Sequence, residues 1–336
     1  MAIEGNLYAA FEERFRAAGS TIAFSIPGGA DVTYSQLLDD VARMANALTA
    51  LGVKPGDRVL VQVEKSIPNV HLYLATLKIG AVYNPLNTAY TAAELDYFIR
   101  DAEPALIVVP GEKLPHVEPI AAELGTAKIA TMEADGSGSL TDLARGQSTE
   151  HRTVERDSDD LAALLYTSGT TGRSKGAMIT HRNLSSNAEV LHEYWGFEPG
   201  DVLLHALPIF HTHGLFVALN TTFLNTSRVI WLPKFDLEAV MRHMPEATVM
   251  MGVPTFYTRL LGNPAFGREH CARMRLIISG SAPLLAETHK EFEARTGHKI
   301  LERYGMTEAG MITSNPYRGG ERIAGTVGYA LPGISV

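Results

Sequence analysis

The sequence contains a single cysteine, Cys271, among its 336 residues, so a disulfide within the chain is excluded. One cysteine fits a reducing compartment, and we expect Cys271 to be a small, partly buried thiol and not a nucleophile. The first 15 residues lack the apolar core of a signal peptide, and no apolar run approaches the roughly 20 residues of a membrane span. These absences predict a soluble, cytoplasmic protein without a membrane span.

An excess of positive charge is also missing. The formal net charge is −8, which gives no global attraction for nucleic acid, so we expect small-molecule partners. An anionic ligand needs a local positive pocket in such a chain. The length and the hydrophobic fraction of 46% are sufficient for a large core.

Short apolar runs alternate with helical patterns along the chain, which predicts an α/β fold with parallel sheets. Leu7, Phe11 and Phe15 recur at helical spacing and predict an N-terminal amphipathic helix. Residues 132–160 are rich in Gly, Ser and charged residues and poor in apolar ones. We interpret this stretch as a surface connection between two α/β lobes, residues 1–160 and 161–336.

The segment 166–176, YTSGTTGRSKG, follows an apolar run that predicts a buried strand. Glycine lets a backbone approach an anion closely, and backbone N–H groups and hydroxyls are neutral donors. Arg173 and Lys175 add positive charge, so the segment has the chemistry of a polyphosphate-binding loop. It is not the common P-loop, because Ser174 stands where that motif has glycine before the lysine. The alternative is an ordinary surface loop.

Two further predicted loops follow strands, SGSAP at 279–283 and YGMTE at 304–308. Ligands of open parallel sheets bind beyond the carboxyl ends of the strands, so the three loops suggest one nucleotide site. The small residues at 279–283 suit a flat base, Tyr304 offers an aromatic face, and Glu308 offers an oxygen ligand for Mg²⁺. Taken singly, Tyr304 could be a core residue and Glu308 a solvated charge.

In this order, YTSGTTGRSKG, HTHGL, SGSAP and YGMTE resemble the motifs of the adenylate-forming enzymes, which include acyl-CoA synthetases, luciferases and peptide-synthetase adenylation domains. The resemblance covers nearly the whole chain. It implies the large N-terminal domain of that family: two βα lobes with mainly parallel sheets, the second carrying the ATP and acyl-substrate site. It also allows a small β-barrel subdomain. ATP, Mg²⁺ and coenzyme A are the implied cofactors and co-substrates.

The resemblance further assigns roles to individual residues. The implied ATP-binding residues are Thr167, Ser168, Gly169, Thr170, Thr171, Gly172, Lys175, Ser281, Ala282, Pro283, Glu302, Arg303, Tyr304, Gly305, Met306 and Thr307. The implied catalytic residues are Lys175, His211, Thr307 and Glu308, and the implied metal ligands are Glu308 and Thr167. His211 corresponds to the gate between the acyl pocket and the thiol channel. Its alternatives are a structural pair with His213 or, less favoured, a zinc site, since no Cys or Asp lies nearby.

Five stretches resemble malonyl-CoA synthetases in particular: LNTAYT (86–91), HALPIFHTHGLF (205–216), LPKFD (232–236), MGVPTFYTRLL (251–261) and LERYGMTE (301–308). A second carboxylate in the substrate needs a cation, and guanidinium binds carboxylate with two hydrogen bonds. We favour Arg259 for this role, with Arg303 and His211 as helpers and Arg275 as a weaker candidate. Each arginine could instead be a surface charge.

The implied reaction is ATP-dependent ligation of malonate to coenzyme A through malonyl-AMP. The chain stops before the ribose-binding aspartate, the hinge and the lysine-bearing C-terminal domain of the family. We therefore expect an N-terminal domain of low activity by itself. The alternatives are a ligase for medium-chain or aromatic acids, and a nucleotide-binding module without catalysis.

Overall fold

The computed structural model describes residues 3–125, 128–167 and 173–336. The chain divides into two compact units. Unit 1 comprises Met1–Gly19 and Tyr34–Ser185, and unit 2 comprises Ser20–Thr33 and Ser186–Val336.

The strands supply the frame of both units. In chain order they are β1 (Ile22–Ser25), β2 (Val32–Thr33), β3 (Arg58–Val61), β4 (Val82–Pro85), β5 (Leu106–Val109), β6 (Lys128–Thr131), β7 (Leu161–Thr167), β8 (Lys175–Thr180), β9 (Val202–His205), β10 (Arg228–Trp231), β11 (Val249–Gly252), β12 (Leu276–Ser279), β13 (Leu301–Met306), β14 (Gly310–Ser314) and β15 (Tyr329–Ala330).

Helices alternate with these strands. They are α1 (Leu7–Ala18), α2 (Tyr34–Ala50), α3 (Ile67–Lys78), α4 (Ala92–Ala102), α5 (Leu114–Leu124), α6 (Ser139–Arg145), α7 (His181–Tyr194), α8 (Asn220–Asn225), α9 (Leu237–His243), α10 (Pro254–Leu261) and α11 (Ala286–Thr296). A π-helix, His213–Leu219, precedes α8, and single 3₁₀ turns lie at Gly111–Lys113, Met244–Glu246 and Arg268–Cys271.

The sheet of unit 1 has the strand order β6-β5-β3-β4-β7-β8. Neighbours from β6 to β7 run parallel, whereas β8 returns antiparallel to β7. The apolar residues of these strands, such as Leu60 and Ile107, pack with Phe98 and Val117 in one buried cluster. The sheet therefore has the predicted parallel α/β character, with one antiparallel edge strand that the sequence did not reveal.

The sheet of unit 2 has the order β15-β14-β13-β12-β11-β9-β10-β1-β2. It is parallel from β13 to β1, and antiparallel pairs lie at both ends. Neither this sheet nor that of unit 1 closes on itself. The mainly parallel sheets confirm the predicted fold class, and the strand orders leave both sheets open at their edges.

The division of the chain differs from the predicted lobes, 1–160 and 161–336. Strand β7 pairs with β4, which keeps residues 161–180 and the phosphate-loop segment in unit 1. In the other direction, β1 pairs with β10 and carries residues 20–33 into unit 2. Pairing between strands distant in sequence decides both boundaries, and no local pattern reports it.

The predicted surface connection at 132–160 contains a helix. Leu140 and Ala144 lie four residues apart on α6 and are both buried, so even this polar stretch presents a short apolar face. Elsewhere local signals were reliable: Leu7, Phe11 and Phe15 are buried on α1. In the described residues, no helix is both long enough and apolar enough to cross a membrane.

Candidate active site

A cavity of about 410 Å³ lies in unit 2 where four neighbouring parallel strands end. Segments that follow β9, β11 and β12 supply its wall, together with the end of β13. Carboxyl ends of parallel strands meet at one edge of a sheet, which is where ligands of open α/β sheets bind. The lining residues are Leu207, Pro208, His211, Thr212, His213, Gly214, Val253, Ser281, Arg303, Gly305, Met306, Thr307 and Met311.

Arg303 is the charged group of this cavity. Its residue is 3% exposed, and within the described chain its Nε and Nη2 atoms have no hydrogen-bond partner. Burial lowers the pKa of the guanidinium to about 10, so it still carries its positive charge near pH 7. A buried charge without a counterion is costly, typically by several kcal/mol. The cavity therefore has the electrostatic character of a carboxylate-binding site.

His213 forms a neutral, polar part of the same wall. It is buried, its Nδ1 lies 3.2 Å from the Ser281 Oγ, and its Nε2 has no partner in the described chain. Burial and the nearby Arg303 hold the pKa of His213 well below its usual range, so the imidazole is neutral near pH 7. Ser281 adopts a φ of 69°, a strained conformation for a residue other than glycine.

The π-helix that begins at His213 is fixed to the sheet by close backbone contacts. His205, the last residue of β9, lies 2.8 Å from the Gly214 carbonyl through its Nε2 and stacks on Trp231. A Cβ on Gly214 would lie 2.0 Å from the Pro208 carbonyl oxygen, so only glycine fits there. The turns of this helix are wider than those of an α-helix, and such π turns are frequent at functional sites.

Strand β13 continues further than predicted. Residues 304–306 belong to the strand and pair with β14, so only the end of YGMTE is a turn and not the whole segment. Tyr304 and Met306 are 48% and 43% exposed, and Glu308 is also exposed, while Thr307 is half-buried beside the cavity. Alternation along the strand explains why Arg303 points inward while Tyr304 is open to solvent.

The structure does not place Arg259 at the cavity. This residue is exposed on α10, and its guanidinium lies 4.6 Å from the centre of the Phe235 ring. Arg275 is engaged elsewhere too, because its Nε donates to Asp201 Oδ1 at 2.7 Å. Of the three arginines considered as carboxylate ligands, Arg303 is the one that lines the cavity. The sequence analysis favoured Arg259 on α10 for the second carboxylate, but the Arg259 side chain lies on the exposed face of this helix.

The other predicted residues of unit 2 have varied surroundings. His211 lines the cavity and is exposed to solvent. Ala282 and Pro283 are exposed as well, but they are not among the residues that line the cavity. Glu302 is buried, accepts a hydrogen bond from the Gly325 N–H at 3.2 Å, and has a pKa raised by burial. Cys271 is fully buried, and burial raises the pKa of its thiol to about 12, which makes it unreactive. Across the described residues no group of three potential metal ligands occurs.

The phosphate-loop segment belongs to unit 1, between β7 and β8. Ser168, Gly169, Thr170, Thr171 and Gly172 lie outside the described residues. Beside them, Thr167 pairs with Lys175 across the hairpin, and both Lys175 and Arg173 are exposed. The hydroxyl of Tyr97 donates to the Ser174 carbonyl at 2.8 Å, which fixes the beginning of β8 against α4.

Residues 11–336 match the family described as AMP-binding enzymes. The chain belongs to this family. The match covers nearly all of the chain, as the motif order had indicated.

Among the relatives of this AMP-binding enzyme is "Malonate–CoA ligase ACSF3, mitochondrial" of Mus musculus, 36% identical over 326 residues, covering 90% of the chain. Crystal structures of apo and ATP-bound MatB from Rhodopseudomonas palustris are each 54% identical, with a TM-score of 0.95 over 98% of the chain. The chain spans 55% of the mouse protein and 65% of the MatB chain.

Proposed function

We propose that this chain is the acid- and nucleotide-binding part of an enzyme that ligates malonate to coenzyme A with ATP. The observation that carries the proposal is the buried guanidinium of Arg303, which lines the cavity without a counterion in the described chain. A dicarboxylic acid supplies the missing negative charge while its other carboxylate stays free to react. An apolar acid leaves the guanidinium uncompensated. The similarity to a protein named malonate–CoA ligase supports the same substrate.

The reaction has two steps. A carboxylate oxygen of malonate attacks the α-phosphorus of ATP, and the bond from that phosphorus to the pyrophosphate oxygen breaks. The thiol of coenzyme A then loses its proton and attacks the acyl carbonyl, which expels AMP. The first step brings two anions together, so positioning and neutralisation of charge dominate it.

The proposal gives each residue of the site a role toward malonate or ATP. Arg303 binds the second carboxylate, and neutral His213 and His211 form polar walls of the acid cavity. The Thr307 hydroxyl donates a hydrogen bond to the α-phosphate of ATP, and the exposed ring of Tyr304 contacts the adenine. Lys175 and the hydroxyls of the phosphate-loop segment hold the outer phosphates.

Glu308 fits Mg²⁺, because its carboxylate is exposed on the turn after β13 and is the kind of oxygen ligand that the ion prefers. Thr167 is a second proposed ligand from the sequence. When bound, the ion neutralises phosphate charge. Coenzyme A is the proposed thiol substrate, and the cytoplasm is the proposed location.

The test is calorimetric titration of the chain with malonate in the presence of ATP and Mg²⁺. Truncating one partner of a desolvated charge pair costs about 2–5 kcal/mol, so Arg303→Leu should weaken malonate binding by about 30-fold or more. Arg259→Leu is the matched control, since it removes an exposed guanidinium of the same unit, and it should bind malonate like the wild-type chain.

Two acids provide the remaining controls. Propionate has a methyl group where malonate has its second carboxylate. It should bind weakly, and Arg303→Leu should leave its affinity unchanged. Octanoate tests the alternative of a medium-chain ligase. Tighter binding of octanoate than of malonate, or normal malonate binding by Arg303→Leu, would show the proposal to be wrong.

A further inference from the structure

Gly280 lies immediately after β12, beside the guanidinium of Arg303. Its N–H donates to the Gly252 carbonyl at 3.2 Å, which holds the backbone between the ends of β11 and β12. Gly280 is not among the residues with a positive φ. Its backbone is therefore open to any L-amino acid, and conformational freedom does not account for a glycine here.

The space around position 280 explains why the residue is glycine. A Cβ at position 280 would lie 2.3 Å from Cζ, 2.5 Å from Nη1 and 2.6 Å from Nε of Arg303, and these are the three nearest heavy atoms. Favourable contacts between such atoms are about 3.5–4.0 Å long. The guanidinium thus occupies the volume that a methyl group at residue 280 would fill.

The backbone of Arg303 cannot move away to make room. Strand β13 is paired on one side with β12, where Ser279 faces Glu302, and on the other with β14, where Arg303 faces Ser314. The side chain is long and has the conflicting atoms at its far end. A methyl group at position 280 consequently displaces the guanidinium and leaves the strand in place.

We propose that Gly280 is a specificity-determining residue: it makes the space that holds the Arg303 guanidinium against the cavity, and so selects a dicarboxylic acid over a monocarboxylic one. This inference rests on the proposed function, because it requires that Arg303 binds the second carboxylate. It assigns to Gly280 a role toward the acid that is separate from the nucleotide-binding role implied for its neighbour Ser281.

The test compares Gly280→Ala with the wild-type chain in calorimetric titrations with malonate and with propionate, in the presence of ATP and Mg²⁺. Gly280→Ala should weaken malonate binding by about tenfold or more and leave propionate binding unchanged. The matched control is Gly262→Ala in the same unit. A Cβ there would meet nothing closer than 3.4 Å, an ordinary contact, so its malonate affinity should equal that of the wild type.

A double variant identifies the obstructing group. In the wild-type background Gly280→Ala should lower the midpoint of urea unfolding, because the methyl group forces the buried guanidinium out of its favoured position. In the Arg303→Leu background the obstruction is gone, and the same substitution should leave the midpoint unchanged. Equal destabilisation in both backgrounds overturns the inference even if Gly280→Ala is too unstable for titration.

The outcomes also separate this inference from the proposed function. If Arg303→Leu loses malonate affinity but Gly280→Ala binds malonate as the wild type does, the role of Gly280 is wrong and the role of Arg303 stands. If Arg303→Leu keeps full malonate affinity, the proposed substrate site and this inference are both wrong.

Discussion

Two buried cations, Lys78 in unit 1 and Arg303 in unit 2, have opposite surroundings. The Lys78 side chain is 2% exposed, and its Nζ donates to Glu12 and to Thr153 at 3.0 Å each. Arg303 is equally buried, but two of its guanidinium nitrogens have no partner in the described residues. A cation with an internal counterion contributes to the fold, whereas a cation without one is suited to an anionic ligand.

The carboxylates of the two units differ in the same way. Burial alone raises the pKa of Glu12, but hydrogen bonds from Thr153 and Lys78 outweigh it, and the net pKa is lowered. Glu302 is buried with only backbone donors, and burial raises its pKa. Pairing within unit 1 therefore keeps Glu12 charged, while the surroundings of Glu302 in unit 2 disfavour charge.

The largest effect on stability is expected for Lys78→Met. The substitution leaves Glu12 without its buried partner and removes the ammonium that lies 4.9 Å from the centre of the Tyr8 ring. Breaking a buried pair costs 3–5 kcal/mol, and we expect about 3 kcal/mol, because Arg16 also contacts Glu12. Urea unfolding monitored by circular dichroism measures this loss.

Arg16→Met is the control for Lys78→Met, since it removes the exposed cation from the same carboxylate. The Arg16 side chain is 68% exposed, so its loss should cost less than about 1 kcal/mol. Equal losses for the two variants would mean that burial does not distinguish the two ion pairs, and the comparison with Arg303 would lose its basis.

Arg303→Leu should not lower the stability of the chain as Lys78→Met does. Without a bound acid, the substitution removes an uncompensated buried charge, and the free energy of unfolding should rise by about 1 kcal/mol or stay unchanged. Saturating malonate should then stabilise the wild-type chain and not the variant, because only a ligand that binds the folded state shifts the unfolding equilibrium. A loss comparable with that of Lys78→Met would instead mark Arg303 as a structural residue.

Much of the fold was accessible from the sequence, because local patterns determine it. Thr91 and Glu94 form a capping box at the start of α4, and its residue types and spacing are a purely local signal. Strand β8 was missed, since its residues are mostly half-exposed and form a strand only by pairing with β7. Helix α6 was missed because its apolar face has only two or three residues.

The position of the proposed acid-binding arginine was harder to predict than the order of the motifs. Arg259 and Arg303 both occupy plausible segments, and their difference is one of exposure. That difference arises because α10 turns Arg259 outward, while pairing of β13 with both β12 and β14 buries Arg303. The proposed role of Gly280 could not be predicted from the sequence either, because it depends on the distance to a residue 23 positions later.

The smallest expected effect concerns the pH dependence of the Lys78 cluster. The folded-state pKa of Glu12 lies below its usual range, so the ion pair stabilises the fold fully above the ordinary glutamate pKa of about 4.3. Its contribution is lost as the pH falls through the lower, folded-state pKa. Glu12→Gln should therefore narrow the difference in unfolding free energy between pH 6 and pH 3, by less than the loss expected for Lys78→Met, as measured by urea unfolding at each pH. Glu13→Gln is the neighbouring control and should keep the wild-type dependence. If both variants retain the wild-type pH dependence, packing against Tyr8 and Thr153 stabilises Lys78 and the ion pair with Glu12 does not. The internal counterion would then not distinguish Lys78 from Arg303.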